Sequence, residues 1–178
     1  MNIFYLDTDP VVAAQQHCDK HVVKMILEYA QLLSTAHRLI DGEMYLDKTA
    51  NGRNIKRWRL NDDREQQMYK ASHVNHPSAI WARQSSKNYQ WLYQLFVACC
   101  DEYTFRYGKR HLTDEKLRNV LSMTPINIEQ GSITTMPQAM PDHCKKPDPI
   151  AGYRNYYKIE KTRMLKWTKR ETPEWIYG

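Results

Sequence analysis

With 178 residues, of which 42% are hydrophobic and 26% charged, the chain is long enough to bury a sizeable core and too apolar to be disordered throughout. It contains no apolar run approaching the ~18 residues of a membrane span, and its first residues lack the basic start and apolar centre of a signal peptide. We therefore expect one soluble domain, residues 1–178, that has no membrane partner and lies in the cytoplasm.

The net charge is +6, and most of it lies near the C-terminus. From Cys144 onwards nine basic residues stand against four acidic ones. Such a patch attracts the phosphates of nucleic acids or nucleotides, although a merely soluble basic surface is the alternative. Twelve Tyr and five Trp, against three Phe, supply rings that suit stacking on bases. The composition favours an anionic partner, either DNA or a small phosphorylated nucleotide.

Cysteine and histidine usage favours neither disulfides nor a metal centre. The four cysteines match no zinc-binding spacing, and the adjacent pair Cys99 and Cys100 falls in a predicted helix, which argues against a disulfide framework. His17 and His21 have the i,i+4 spacing of a two-histidine metal face, but no third ligand is evident. We predict reduced thiols, no metal and no cofactor.

The chain begins with a weakly alternating segment, residues 1–6, that fits either a short strand or an extended lead-in. Pro10 suits the first turn of a helix, and the preceding aspartates suit its cap. We predict one long helix from Pro10, or the residue after it, to Leu39, kinked near Cys18. Gly42 follows the predicted end.

A narrow stripe of ionisable and polar side chains runs along this first helix. At 100° per residue the stripe spans about 100° of arc, and most of the remaining circumference is apolar. A surface helix shows the reverse proportions, so the stripe is typical of a cleft wall. A narrow solvated edge with an ordinary Lys24–Glu28 pair is the alternative. The stripe consists of His17, Lys20, His21, Lys24, Glu28, Gln31 and Thr35.

Two further groups of basic residues follow in the middle of the chain. Residues 43–60 are low in apolar content and predict an exposed basic loop able to approach a phosphate backbone. The sequence HVNHPSAIWAR then predicts a helix capped by Asn75. His73, His76 and Arg83 gather near its start, where the helix dipole favours anions. These four residues are candidate phosphate ligands, and a plain capping and packing role is the alternative.

The second long helix is predicted to run from Ser85 or Ser86 to about Tyr107. It ends in a basic turn that adds three candidate phosphate ligands, Arg106, Lys109 and His111. Basic residues at a helix C-terminus are also the usual structural placement.

The segment 124–149 is rich in proline and has no periodic pattern, so we predict a long irregular loop that packs over the core. In the basic part that follows, 150–178, we predict an amphipathic helix ending near Trp167 and an aromatic tail that docks on the body. Arg154, on this helix, is the last candidate phosphate ligand. The predicted fold class is all-α, one mostly helical domain.

Over its whole length the chain resembles a family of uncharacterised proteins common in tailed-phage genomes. The resemblance rests on MNIFYLDTDP, HCDKHVVKMILEYAQLLSTAH, NHPSAIWAR, EYTFRYGKRH, MPQAMP and YRNYY. It implies a viral origin, and therefore the cytoplasm of an infected bacterial cell, but no activity.

The layout is also similar to that of the phage pyrimidine-dimer DNA glycosylases, which are small, basic, helical repair enzymes. Gln16 and His17, followed by a polar helix, resemble the start of their first long helix. Residues 77–111 resemble their later long helix with its basic turn. Their aromatic tail is matched by Pro173, Trp175, Tyr177 and Gly178. The resemblance implies a glycosylase or lyase activity on DNA.

Two departures from that family bear on the mechanism. Its members form a Schiff base through an N-terminal amine exposed by removal of Met, whereas Asn2 in this chain normally blocks that removal. Their first helix carries a catalytic Glu, whereas the corresponding turn here offers Asp19, His21 and Lys24, with Glu28 one turn further on. We therefore expect this chain to share the helical scaffold of that family but not its N-terminal amine mechanism.

We predict that the first helix lines a cleft in which a nucleic-acid base or a nucleotide is acted on. In a glycosylase, Glu28 or Asp19 would stabilise charge developing on the sugar. His17 or His21 would move protons near neutral pH.

The Schiff-base amine would then come from Lys20 or Lys24, if desolvation lowers its pKa. The alternative is a non-catalytic pocket that sequesters a nucleotide used by the host as an immune signal, with His, Lys and Arg gripping its phosphates. A structural or protein-binding phage factor would explain the basic tail but not the stripe.

Overall fold

Two long helices, α2 (Asp19–Asp41) and α5 (Ser86–Tyr107), pack against each other and form the frame of the structure. In this computed structural model, which describes residues 1–178, five shorter helices and a two-stranded sheet surround that pair. They are α1 (Pro10–Gln16), β1 (Glu43–Lys48), β2 (Asn54–Arg59), α3 (Arg64–Gln67), α4 (Pro77–Gln84), α6 (Leu112–Leu117) and α7 (Pro149–Glu160). The prediction of a mostly helical protein is confirmed. None of the helices combines the length and the apolar character that crossing a membrane requires.

The predicted helix from Pro10 to Leu39 is in fact two helices, because the chain is extended at His17 and Cys18. Asp9 caps α1 by accepting a hydrogen bond from the second residue of that helix. Both residues of the break are fully buried. The break lets α1 pack on α5 while α2 makes its own contact with α5. The predicted stripe is therefore not continuous from its first member.

Along α2, some residues of the stripe face solvent and others face the core. Val23 and Leu27, 41% and 40% exposed, share the solvent side of the helix with Lys20 and Lys24. His21 is turned inward and is only 4% exposed. The core side of α2 buries Val22, Met25, Ile26, Tyr29, Ala30, Leu32, Leu33 and Ala36. The stripe is thus the edge at which α2 passes from solvent to core.

Residues 43–60 form a β-hairpin and not the predicted loop, so the all-α class is too strict. β1 and β2 pair in antiparallel register over six residue pairs, and their side chains alternate in exposure as period-2 strands do. Gly52 occupies the turn with φ 77°, a left-handed conformation that glycine adopts without strain. The first six residues of the chain, by contrast, pair with no strand and form an extended lead-in.

A buried arginine, Arg38, anchors the hairpin and the segment after it to the last turns of α2. Its guanidinium pairs with the Glu65 carboxylate and donates to the main-chain oxygens of Trp58 (2.9 Å), Met68 (2.8 Å) and Tyr69 (2.6 Å). A buried guanidinium is tolerated only when its N–H groups find such partners. The C-terminal end of α2 is therefore a rigid attachment point.

The segment 124–149 contains no α-helix or strand before α7 begins at Pro149, only the 3-10 turn Asp142–Cys144, and it packs over the core through Ile128 and Met136. α7 ends earlier than predicted, well before Trp167. Trp167 docks on the body, its indole N–H donating to the carbonyl of Gln16 at 2.8 Å. In the predicted tail, the Trp175 ring packs against the Tyr157 ring with the centroids 5.9 Å apart.

Replacing Leu33 with Ala should lower the free energy of unfolding by roughly 2 to 5 kcal/mol, because this fully buried side chain would leave a cavity. The matched control is Leu46→Ala in the hairpin, where the side chain is 70% exposed and the expected change is within about 0.5 kcal/mol. Equal losses in urea-induced unfolding of the two variants would contradict this assignment of the core.

Candidate functional site

A cleft of about 250 Å³ opens beside the first turns of α2. The extended N-terminal segment forms one wall, α2 forms the second, and the end of α7 with the residues after it forms the third. The lining residues are Met1, Asn2, Phe4, Lys20, His21, Lys24, Met25, Glu28, Tyr156, Lys161 and Met164. Four of the six predicted catalytic residues, all on α2, therefore lie in one cleft.

His21 belongs to the aromatic wall of this cleft. Its ring stacks on Phe4, with the centroids 4.0 Å apart and the planes 22° from parallel, and its Nδ1 lies 2.5 Å from the Tyr157 hydroxyl oxygen. Burial, and then the positive charges of His17, Lys161 and Lys24, lower the pKa of His21 to about 2. The ring is therefore neutral near pH 7 and does not shuttle protons there, contrary to its predicted role.

Glu28 brings a largely buried carboxylate to the cleft. Its side chain is 16% exposed, and its Oε1 lies 3.9 Å from the Lys24 Nζ and 3.8 Å from the main-chain nitrogen of Met1. Both separations exceed hydrogen-bond distance, so the amino groups balance its charge without occupying its oxygens. A negative charge flanked by two amino groups remains available to a ligand.

Three lysines give the cleft a positive rim. Lys20 and Lys24 come from α2, and Lys161 follows α7 with its Nζ 4.8 Å from the centre of the Tyr156 ring. Only Lys24 has a carboxylate neighbour, Glu28. The rim thus offers positive charge, and the Tyr156 ring offers an aromatic face.

The turn before α4 lies close to this cleft. His76, and not the predicted Asn75, caps α4, its Nδ1 accepting from the Ser78 N–H at 3.1 Å. Burial chiefly lowers the pKa of His76. The charges of the Met1 amino group and His73 lower it further, and that of Glu28 opposes them.

His73 is exposed and has φ 49°, a left-handed backbone conformation that is uncommon outside glycine. Because the charges of the Met1 amino group and Glu28 both act on the pKa of His76, the start of α4 adjoins the predicted catalytic residues of the cleft. Asn75 is exposed and forms no cap. Arg83 supports the same turn, donating to the Val74 carbonyl at 2.7 Å.

The predicted placement of His17 in the cleft is wrong. This residue is fully buried at the break between α1 and α2, with its Nδ1 2.6 Å from the Ala13 carbonyl oxygen and its Nε2 2.7 Å from the Tyr29 hydroxyl oxygen. Burial is the main cause that lowers its pKa to about 4. His17 is neutral near pH 7 and serves packing, not proton transfer.

The predicted placement of Asp19 in the cleft is wrong as well. Its carboxylate accepts from Arg106 at 3.0 Å and from the main-chain and hydroxyl groups of Thr168 at 2.9 and 2.6 Å. Partial burial alone would raise the pKa of Asp19, but the hydrogen bonds from Thr168 and Arg106 hold it below its ordinary value. Arg106 is itself buried, so neither residue is placed to meet a phosphate.

The remaining candidate phosphate ligands do not line the cleft. Lys109 lies exposed beyond the end of α5, and His111 caps α6 by accepting from the Thr113 N–H at 3.1 Å. Arg154 donates to the Leu6 carbonyl at 2.9 Å and thereby holds the N-terminal segment against α7. Arg154 thus supports the wall formed by the N-terminal segment, on the side that faces away from the cleft.

Sequence reasoning missed the cleft residues that lie outside α2. Phe4 and Tyr156 are aromatic residues in a chain rich in them, and Lys161 is one of many lysines near the C-terminus. No local pattern distinguishes them, because they join the site only when the first and last segments of the chain pack against the same helix. The excess of Tyr and Trp was the one available signal.

Buried neutral histidines make stability depend on pH. The pKa of His17 is about 4 in the folded protein, against an ordinary value of 6.5. Between pH 4 and pH 6.5, His17 is therefore protonated in the unfolded chain but not in the folded protein. Its stabilising contribution, on the order of 3 kcal/mol, is present above pH 6.5 and is lost as the pH falls to 4.

We therefore expect the melting temperature to fall steadily from pH 6.5 to pH 4.5, and His17→Gln to flatten that dependence. His73→Gln, at an exposed position outside the core, is the control and should not flatten it. Identical pH profiles for wild type and His17→Gln would contradict the assignment.

Comparison with known proteins gives no independent guide to this site. The chain matches no protein-family model, no curated protein and no solved structure.

Proposed function

We propose that the protein acts on a nucleic-acid base or a nucleotide held in the cleft beside α2, as a DNA glycosylase or lyase of phage origin working in the infected bacterial cell. The observation that supports this most directly is the largely buried Glu28 carboxylate with an amino group on either side, at 3.8 and 3.9 Å. Glycosylase/lyase chemistry needs this pair of functions, an amine that attacks and a carboxylate that stabilises charge.

The size and lining of the cleft fit one nucleotide unit. At about 250 Å³ it lies just below the ~300 Å³ at which pockets for drug-sized ligands begin, so it suits a single base with its sugar. The stacked pair of Phe4 and His21 and the ring of Tyr156 offer apolar surfaces to a base flipped out of a duplex. The lysines of the rim suit the flanking phosphates.

In the proposed reaction a neutral amine attacks C1′ of the sugar, and the glycosidic bond breaks with its electron pair leaving on the base. The base takes up one of the two amine protons by way of solvent. The C1′–O4′ bond then breaks as the C1′=N bond of the Schiff base forms, and O4′ takes up the second proton. Glu28 stabilises the positive charge that develops on the sugar. We assign the attack to Lys24, whose Nζ lies 3.9 Å from the carboxylate; its side chain is 69% exposed, so the assignment rests on this proximity and not on desolvation.

The test is reductive trapping with duplex DNA that contains an abasic site. Borohydride should fix a covalent adduct on the full chain, and peptide mapping should locate it at Lys24. An adduct at Lys20, or at the amino group of Met1, would keep the enzyme class and overturn the assignment of the nucleophile. The absence of any adduct or strand cleavage would overturn the enzyme class.

Two substitutions sharpen this test. Glu28→Gln keeps the side-chain volume and removes the charge, so we expect base release and strand cleavage to fall by a factor of about 100 or more while the fold is kept. Lys24→Gln should remove the adduct. Glu115→Gln and Lys87→Gln, at exposed helical positions away from the cleft, are the matched controls and should behave as wild type.

The positive rim favours a second candidate function, a non-catalytic pocket that sequesters a nucleotide signal of the host. Of the three lysines only Lys24 has a carboxylate neighbour, so Lys20 and Lys161 can both meet phosphate oxygens. Such a pocket needs no nucleophile, and its ligand is released unaltered.

Thermal unfolding with a panel of mono-, di- and cyclic nucleotides separates the two candidates. A sequestering protein should be stabilised by one of them, by ~2.7 kcal/mol at a ligand concentration 100 times its Kd, and Lys161→Gln should weaken that effect. A glycosylase should instead bind duplex DNA with an affinity that falls steeply with added salt. Stabilisation by a free nucleotide that is recovered intact, together with no trapping on DNA, would favour sequestration.

A further inference from the structure

A second group of ligand-type side chains lies outside the cleft, where the irregular segment reaches the end of α7. One ring nitrogen of His143, the Sγ of Cys144 and a carboxylate oxygen of Glu160 all lie within 4.8 Å of one another. His143 and Glu160 are directly hydrogen bonded, Nε2 to Oε1 at 2.6 Å. Three different metal-binding functions, imidazole, thiol and carboxylate, thus converge from two separate parts of the chain.

The fold holds this group in place through main-chain contacts. His143 and Cys144 lie in the 3-10 turn Asp142–Cys144, and the Cys144 carbonyl accepts from the Asn155 side chain at 3.0 Å. The Gln138 side chain bonds both main-chain groups of Lys146, at 2.6 and 3.0 Å, which closes the loop around the turn. The backbone that carries His143 and Cys144 is therefore held in place before any ion arrives.

Glycine at 152 on α7 is what allows this loop to pack so closely. A Cβ there would lie 1.9 Å from the Gln138 side-chain oxygen, so any larger residue would displace the Gln138 side chain from its hydrogen bonds with Lys146. Gly152 thus lets the Gln138–Lys146 loop pack against the first turns of α7.

We propose that His143, Cys144 and Glu160 bind a zinc ion. Thiolate and imidazole with one carboxylate are donors that zinc favours, whereas magnesium and calcium take oxygen ligands. On binding, the ion replaces the hydrogen bond between His143 and Glu160, and the Cys144 thiol binds as thiolate with its proton passing to solvent. Three protein ligands leave the fourth tetrahedral position for water.

The side chains beside the buried Cys144 thiol, those of His143 and Glu160, are partly exposed to solvent. The side chains of His143 and Glu160 are 59% and 39% exposed, and Cys144 is fully buried beside them. An ion would reach the Sγ of Cys144 by way of these two side chains, which would have to rotate to admit it. The zinc site is separate from the cleft, and its proposal does not depend on the function proposed for the cleft.

The test uses the full chain without a histidine tag, stripped of metal and titrated with Co²⁺. One equivalent should produce the visible absorption of tetrahedral Co²⁺ together with the near-ultraviolet thiolate-to-cobalt charge-transfer band, and Zn²⁺ should abolish both. Octahedral Co²⁺ spectra, or tight binding without the thiolate band, would overturn the proposal, as would the absence of binding.

Variants identify the ligands. Cys144→Ser should remove the charge-transfer band, and His143→Ala and Glu160→Gln should each weaken Co²⁺ binding at least ~10-fold. His73→Ala and Glu115→Gln, at exposed histidine and glutamate positions, are the matched controls and should bind as wild type. Because the His143 and Glu160 side chains are partly exposed, these variants keep the test decisive even if Cys144→Ser does not fold. Unchanged affinity in both of them would exclude the site.

Discussion

A single buried guanidinium, that of Arg106, fixes the break between α1 and α2 on which the rest of the structure depends. It donates to the carbonyls of Gln15 and His17, both at 2.9 Å, and it pairs with Asp19 on one side and with Glu102 on the other. The extended backbone at the break would otherwise leave carbonyls buried without partners. Because α1 turns aside here, the N-terminal segment can pass along α2 and form a wall of the cleft.

The sequence predicts the long helices well, because their apolar residues recur at helical spacing over many turns. It predicts a kink near Cys18 but not a complete break, since the apolar pattern continues across His17 and Cys18 and the partner that stabilises the extended backbone, Arg106, lies far along the chain. The sequence does not predict the β-hairpin at residues 43–60 either, for a different reason. Its strands have no fully buried side chain, so their sequences lack the regular alternation of apolar and polar residues that indicates a strand. Arg38, and not a hydrophobic face, holds them to the body.

The stripe on α2 located the candidate site but described it incompletely. Four of its members reach the cleft, while His17 is buried at the break. Asp19, a predicted catalytic residue outside the stripe and the first residue of α2, pairs with Arg106 instead. The other walls come from both ends of the chain, which no local spacing can reveal. The same holds for the proposed zinc ligands: His143 and Cys144 are adjacent, but Glu160 joins them only because α7 returns past the loop.

The burial of His21 changes the chemistry that the cleft can support. A ring stacked on Phe4 and bonded to Tyr157 has a pKa near 2, so it cannot take up a proton near neutral pH without losing the packing that forms the wall. Proton transfer in the proposed reaction therefore falls to Glu28 and to water, and His21 serves as an aromatic surface for the base. Replacing His21 would test packing more than chemistry. The informative substitution in this cleft is at Glu28, where charge can be removed while the shape of the wall is kept.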